Sequence, residues 1–183
     1  MSSRASHDGR HDFDFVVGDW NVRNLCMTEP GTGSVVWEEF GATARVRPVL
    51  YRLGFVDEFN FGAPKDQVKL FTLCLFNPTS RQWYIHRASN ADGELQDPLV
   101  GEFDDGVGEF YAHELVHGQR VFCRQMWSDI TPTSFRWEQA YSTDGGETWQ
   151  TNWTMFRTRV RRTTGFGETA LIAERERELV GAH

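Results

Sequence analysis

The chain has 183 residues, of which 39% are hydrophobic and 25% charged, enough for one domain that buries roughly 70% of the surface its unfolded form exposes and unlike a disordered or collagenous composition. A net charge of -7 gives no basic footprint for nucleic acid, and no apolar stretch approaches the ~20 residues of a membrane-spanning helix. Cys26, Cys74 and Cys123 are odd in number without a disulfide spacing, and the start MSSRASHDGRHD lacks an apolar secretory segment, so a reducing cytoplasm is the expected location.

In chain order, a polar start at residues 1–11 is expected to be mobile. Short runs of alternating character then predict strands at 19–27, 35–46, 52–60, 68–76, 82–88, 98–103, 108–116, 120–129, 134–142 and 149–159. Turn clusters separate them, among them Pro30-Gly31-Thr32-Gly33, Asn77-Pro78-Thr79, Asp104-Asp105-Gly106, His117-Gly118 and Asp144-Gly145-Gly146. Such short connections leave no room for crossover helices, so the strands form an antiparallel meander. An open meander of this size would expose aromatic-rich edges, and closure removes them. The expected fold is therefore all-β, one barrel of about 8–10 strands over 12–160, with a hollow for one small molecule. Residues 161–183, which include Glu174-Arg175-Glu176-Arg177-Glu178, fit either a short helix or a frayed tail.

The composition is 14% aromatic, with 14 Phe, 7 Trp and 4 Tyr, which suits a half-buried pleated surface. The best-specified pair is Phe135-Arg136-Trp137-Glu138-Gln139-Ala140-Tyr141 against Trp149-Gln150-Thr151-Asn152-Trp153-Thr154-Met155. Odd positions carry the aromatics on both arms, which sends Glu138, Gln150 and Asn152 to the opposite face.

The segment His11-Asp12-Phe13-Asp14-Phe15-Val16-Val17-Gly18-Asp19-Trp20-Asn21-Val22 resembles the opening of a family of uncharacterised bacterial proteins with a lipocalin-like fold. Trp127-Ser128-Asp129-Ile130-Thr131, Trp137-Glu138-Gln139-Ala140, Ser142-Thr143-Asp144-Gly145-Gly146-Glu147-Thr148-Trp149 and Thr151-Asn152-Trp153 resemble that family's closing strands. The resemblance implies a calycin-type barrel whose first-strand tryptophan, Trp20, packs on a basic residue of the last strand, Arg159 or Arg157. An indole face accepts a guanidinium at about 0.5–2 kcal/mol, so the implied role is structural. No settled activity comes with the resemblance.

His113-Glu114-Leu115-Val116-His117 matches H-E-x-x-H, which on a helix would bind zinc. Glycines at 106, 108 and 118 favour a strand instead, where residues four apart lie about 13 Å apart and cannot share one metal. Glu138 is the one third ligand the spacing offers, and no metal or cofactor is expected. No G-x-S-x-G, G-x-G-x-x-G or G-x-x-x-x-G-K is present.

Candidate catalytic residues are His86 and Arg87, in a central strand where the resemblance implies aromatics, together with Tyr111 and His113. At least one of the neighbours His86 and Arg87 faces water, and Tyr111 with His113 fits an outward packing position as well as an inward one. Candidate ligand-binding residues are Trp83, Arg124, Gln125, Trp137, Glu138, Gln139, Asn152 and Trp153, although the tryptophans serve equally as core, and Glu138 and Asn152 as the wet face of a hairpin. Of Arg124 and Gln125, one must point inward. The leading functional expectation is binding of a small hydrophobic molecule in the barrel. The alternative is a cofactor-independent cyclase or isomerase acting on a small secondary metabolite by acid–base catalysis in the same hollow. A third is a structural module whose interior is filled by its own side chains, and exposed aromatics make a homodimer reasonable.

Overall fold

The computed structural model describes residues 8–30, 35–62 and 68–161. The expected tail or helix beyond residue 161 and the first seven residues of the expected mobile start lie outside them.

Alternating burial follows from the sequence pattern: each strand directs one parity of mainly aromatic and aliphatic side chains inward, and their common burial fixes the register. Ten strands result: β1 (Gly18–Met27), β2 (Trp37–Val49), β3 (Gly54–Phe61), β4 (Val68–Asn77), β5 (Gln82–Ser89), β6 (Leu99–Asp104), β7 (Val107–Val116), β8 (Gln119–Ser128), β9 (Ser134–Ser142) and β10 (Gln150–Arg159). Each pairs antiparallel with its sequence neighbour, and β1 also pairs with β10, so the meander closes into a barrel. The expected fold class is the observed one. Strand ends depart from the alternation by three residues at most. The largest departure lies between β2 and β3, where Leu50, Tyr51 and Arg52 take φ of 48°, 51° and 69°; this left-handed turn delays β3 until Gly54.

One end of the barrel is filled. Phe13 precedes the strands, is 1% exposed, and sits within 4.7–5.4 Å of the ring centres of Phe55, Trp83, Phe103, Phe110 and Trp127. A 3-10 turn at Asp14–Val16 brings the chain back to β1, and the Trp20 indole N–H donates to the Val16 carbonyl at 2.7 Å. Arg159 stacks over Trp20 at 4.2 Å and donates to the carbonyls of Phe15, Val17 and Pro132. Of the two partners implied for Trp20, the geometry takes Arg159. Gly9, within the start expected to be mobile, is buried and accepts the Trp83 indole N–H at 2.9 Å.

Gly101 of β6 shows how tightly the wall is drawn, since a Cβ there would lie 1.9 Å from the Glu109 carbonyl oxygen. Gly101→Ala is therefore expected to cost about 1–3 kcal/mol or more, because the obstacle is backbone that cannot rotate away. Urea unfolding of this variant checks the prediction, and an unchanged midpoint would contradict it.

Candidate functional site

The opposite half of the barrel is hollow. Between β5 and β7 the wall is thin, because β5 pairs with β6 only over Trp83–Ile85. Above Ile85 the segment 90–98 completes it, with the Gln96 N–H donating to the Arg87 carbonyl at 2.8 Å. Behind it lies a cavity of about 280 Å³, walled by Leu70, Trp137, Trp153 and Met155 and by the polar side chains Arg87, Glu114, Gln125, Gln139 and Tyr141.

Parity explains how polar groups reach the interior. Arg87 shares its face with Trp83 and Ile85, Glu114 with Phe110 and Ala112, and Gln139 and Tyr141 with Phe135 and Trp137. Inside, they close a ring of hydrogen bonds. Arg87 spans the lumen, donating Nη2 to Glu114 Oε1 at 2.5 Å and Nη1 to Gln139 Oε1 at 3.2 Å. Gln139 Oε1 also accepts from Gln125 Nε2 at 3.1 Å, while Gln139 Nε2 donates to Asn152 Oδ1 at 3.1 Å and to the Tyr141 hydroxyl at 3.2 Å. The Tyr141 hydroxyl donates onward to Glu114 Oε2 at 3.5 Å. Two acceptances and two donations use the full capacity of Gln139, which fixes its orientation.

Burial, followed by the charge of Glu114, raises the Tyr141 pKa far above its ordinary value, so this phenol faces the hollow as a neutral hydroxyl. Folding favours its protonated form; the stability it contributes is complete below the unfolded pKa of about 10 and declines as pH rises beyond it. Between pH 9 and 11 the unfolding midpoint of the native chain is expected to fall more steeply than that of Tyr141→Phe, and parallel profiles would contradict this. Burial also raises Cys74 and Cys123, with Glu114 adding to the effect at Cys123. Both stay thiols rather than activated thiolates.

The expected site residues divide by face. Arg87, Gln125, Trp137, Gln139 and Trp153 come together around the hollow. Trp83 points inward but belongs to the filled end, against Phe13 and Phe76. Asn152 corrects the strict alternation: a bulge between Thr151 and Trp153 leaves it buried and bonded to Gln139 instead of on the opposite face. Glu138 does lie on the outer face, paired with Arg136 at 2.7 Å.

His86, Tyr111, His113 and Arg124 also occupy the outer parity. His86 sits 3.3 Å from the Gln96 carbonyl, Tyr111 donates to Glu109 at 2.7 Å, and His113 stacks on Phe122. Arg124 lies over Trp149 at 4.7 Å. Tyr111 and His113 therefore do not converge with Gln125 in one cup, because residues of opposite parity on neighbouring strands cannot share a face. The H-E-x-x-H segment runs through the end of β7 into its turn, and no group of three metal-ligating side chains occurs among the described residues. Glu114 and Tyr141, which complete the polar ring, were not among the expected site residues.

A larger concavity of about 730 Å³ lies along β1–β5, bordered chiefly by outward side chains. Its Arg45 and Asp19 pair with each other at 2.7 Å.

No protein-family model and no curated protein matches the sequence. Geometry alone defines the class: a closed ten-stranded antiparallel barrel, filled at one end and consistent with a lipocalin-like fold.

Proposed function

We propose that the barrel binds one small, largely apolar molecule in its open half. The observation that carries this reading is the 280 Å³ hollow lined both by the indoles of Trp137 and Trp153 and by the Arg87–Glu114–Tyr141–Gln139 ring. Its size lies at the lower edge of small-molecule pockets, and an apolar wall with a few fixed polar groups is their usual construction. The packing of Trp20 under Arg159 supports the kinship with calycin-type barrels that the opening segment suggests.

Titration of the intact chain with a naphthalene-class probe, followed by calorimetry, tests the reading. One saturable site per chain is expected, and it should vanish in Leu70→Trp, which fills the hollow, while the melting temperature is retained. Absence of saturation, or unchanged binding in Leu70→Trp, would overturn it.

One observation favours the cyclase or isomerase as a second reading: a neutral Tyr141 hydroxyl and the Glu114 carboxylate face the same hollow. Such a pair can give and receive a proton, a contribution of about 10²–10⁴ in rate. Turnover that disappears in Tyr141→Phe while binding persists would establish it, and binding without turnover in the native chain would exclude it.

A further inference from the structure

Below the main hollow lies a second void of about 60 Å³, and the two share Thr72, Gln125, Trp137 and Met155 as walls. The small void reaches an ion pair that crosses the barrel interior, Arg157 Nη1 to Asp57 Oδ2 at 2.7 Å, with side chains only 9% and 11% exposed. Phe59 and Phe135 flank the guanidinium, with ring centres 5.7 and 5.6 Å away. The pair is incompletely satisfied: Asp57 Oδ1 and Arg157 Nε are buried and have no hydrogen-bond partner from the protein. Buried charged groups rarely leave bonding capacity unused, and here one acceptor and one donor stay open on two side chains that both line the small void.

Resting on the ligand-binding reading above, we propose that the occupant enters with a terminal hydroxyl leading and that Asp57 and Arg157 receive it. A hydroxyl is the smallest group that donates and accepts at once, its O–H donating a hydrogen bond to Asp57 Oδ1 and its oxygen accepting one from Arg157 Nε–H. Charge selects it over ionic heads. Asp57 repels a carboxylate and Arg157 repels an ammonium, while each neutralises the other, so an uncharged head enters without adding net charge to the interior. The aromatic and aliphatic walls above take the rest of the molecule. The ligand class is an apolar body bearing an alcohol or phenol at one end.

Three matched probes test this by calorimetry. 2-Naphthol can give and accept a hydrogen bond, 2-methoxynaphthalene can only accept, and 2-methylnaphthalene can do neither. The native chain is expected to bind 2-naphthol about 10–100-fold more tightly than 2-methylnaphthalene, the range for hydrogen bonds to charged groups, with 2-methoxynaphthalene between them. The double variant Asp57→Leu/Arg157→Met should bind the three about equally. In the native chain the Arg157 Nε–H resonance should move with 2-naphthol and stay in place with 2-methylnaphthalene, a readout that does not require the variant to fold. Equal affinities in the native chain, as for a floor held by water, would overturn the hydroxyl assignment and leave the binding reading standing. Preference for 2-naphthol persisting in the double variant, or a still Arg157 resonance, would also overturn it. Failure of all three probes to bind would remove both.

Discussion

Phe13→Ala is expected to destabilise the barrel by about 3–5 kcal/mol, the range for removing a fully buried phenylalanine. The value should fall at the upper end. Phe13 meets five rings drawn from β3, β5, β6, β7 and β8, and strands held in a closed ladder cannot collapse into the space it leaves. Edge-to-face packing adds about 0.5–1.5 kcal/mol per favourable pair beyond area burial. Denaturant unfolding measures the loss, and a change below about 1 kcal/mol would mean that the segment before β1 decorates the barrel instead of closing it.

Arg157→Ala should cost a similar 3–5 kcal/mol for a different reason. Its removal leaves Asp57 charged and buried without its partner, and breaking one side of such a pair strands an uncompensated charge. The double variant Asp57→Leu/Arg157→Met removes both charges and is expected to be near neutral or stabilising, since well-packed apolar replacements of buried ion pairs often are. Stability curves for the two variants and the native chain form the comparison. Comparable losses in both variants would show that the pair holds the barrel together, which contradicts the view that it is kept for a ligand.

Much of this was legible because strands have a period of two. The alternation in Phe135–Tyr141 and Trp153–Met155 fixed a face, and the turn clusters fixed the strand count. The site was harder to read because its polar groups form no catalytic motif and are marked only by sharing the aromatic parity of their strands. Asp57 lies between Phe55 and Phe59, Arg87 follows Trp83 and Ile85, and Glu114 follows Phe110 and Ala112, each at spacings of two. That rule alone places all three inside. Glu114 also sits within His113-Glu114-Leu115-Val116-His117, whose match to a zinc motif the strand geometry of β7 forbids. Asn152 had no such signal, because a bulge inserts one residue where local composition reads as regular strand. Nor did alternation alone show that Arg157 reaches Asp57 across three strand positions of the barrel wall, a contact that depends on closure.

The most direct measurement of the central claim is the indole N–H region of a two-dimensional nitrogen–proton spectrum, recorded while the chain is titrated with 2-naphthol. Trp137 and Trp153 line the hollow, Trp20 and Trp83 belong to the filled end, and Trp37 and Trp149 lie on the outside. The account predicts saturable shifts at Trp137 and Trp153, with the Trp20, Trp37 and Trp149 signals unmoved. Shifts confined to Trp37 or Trp149, or none that saturate, would contradict a binding site inside the barrel.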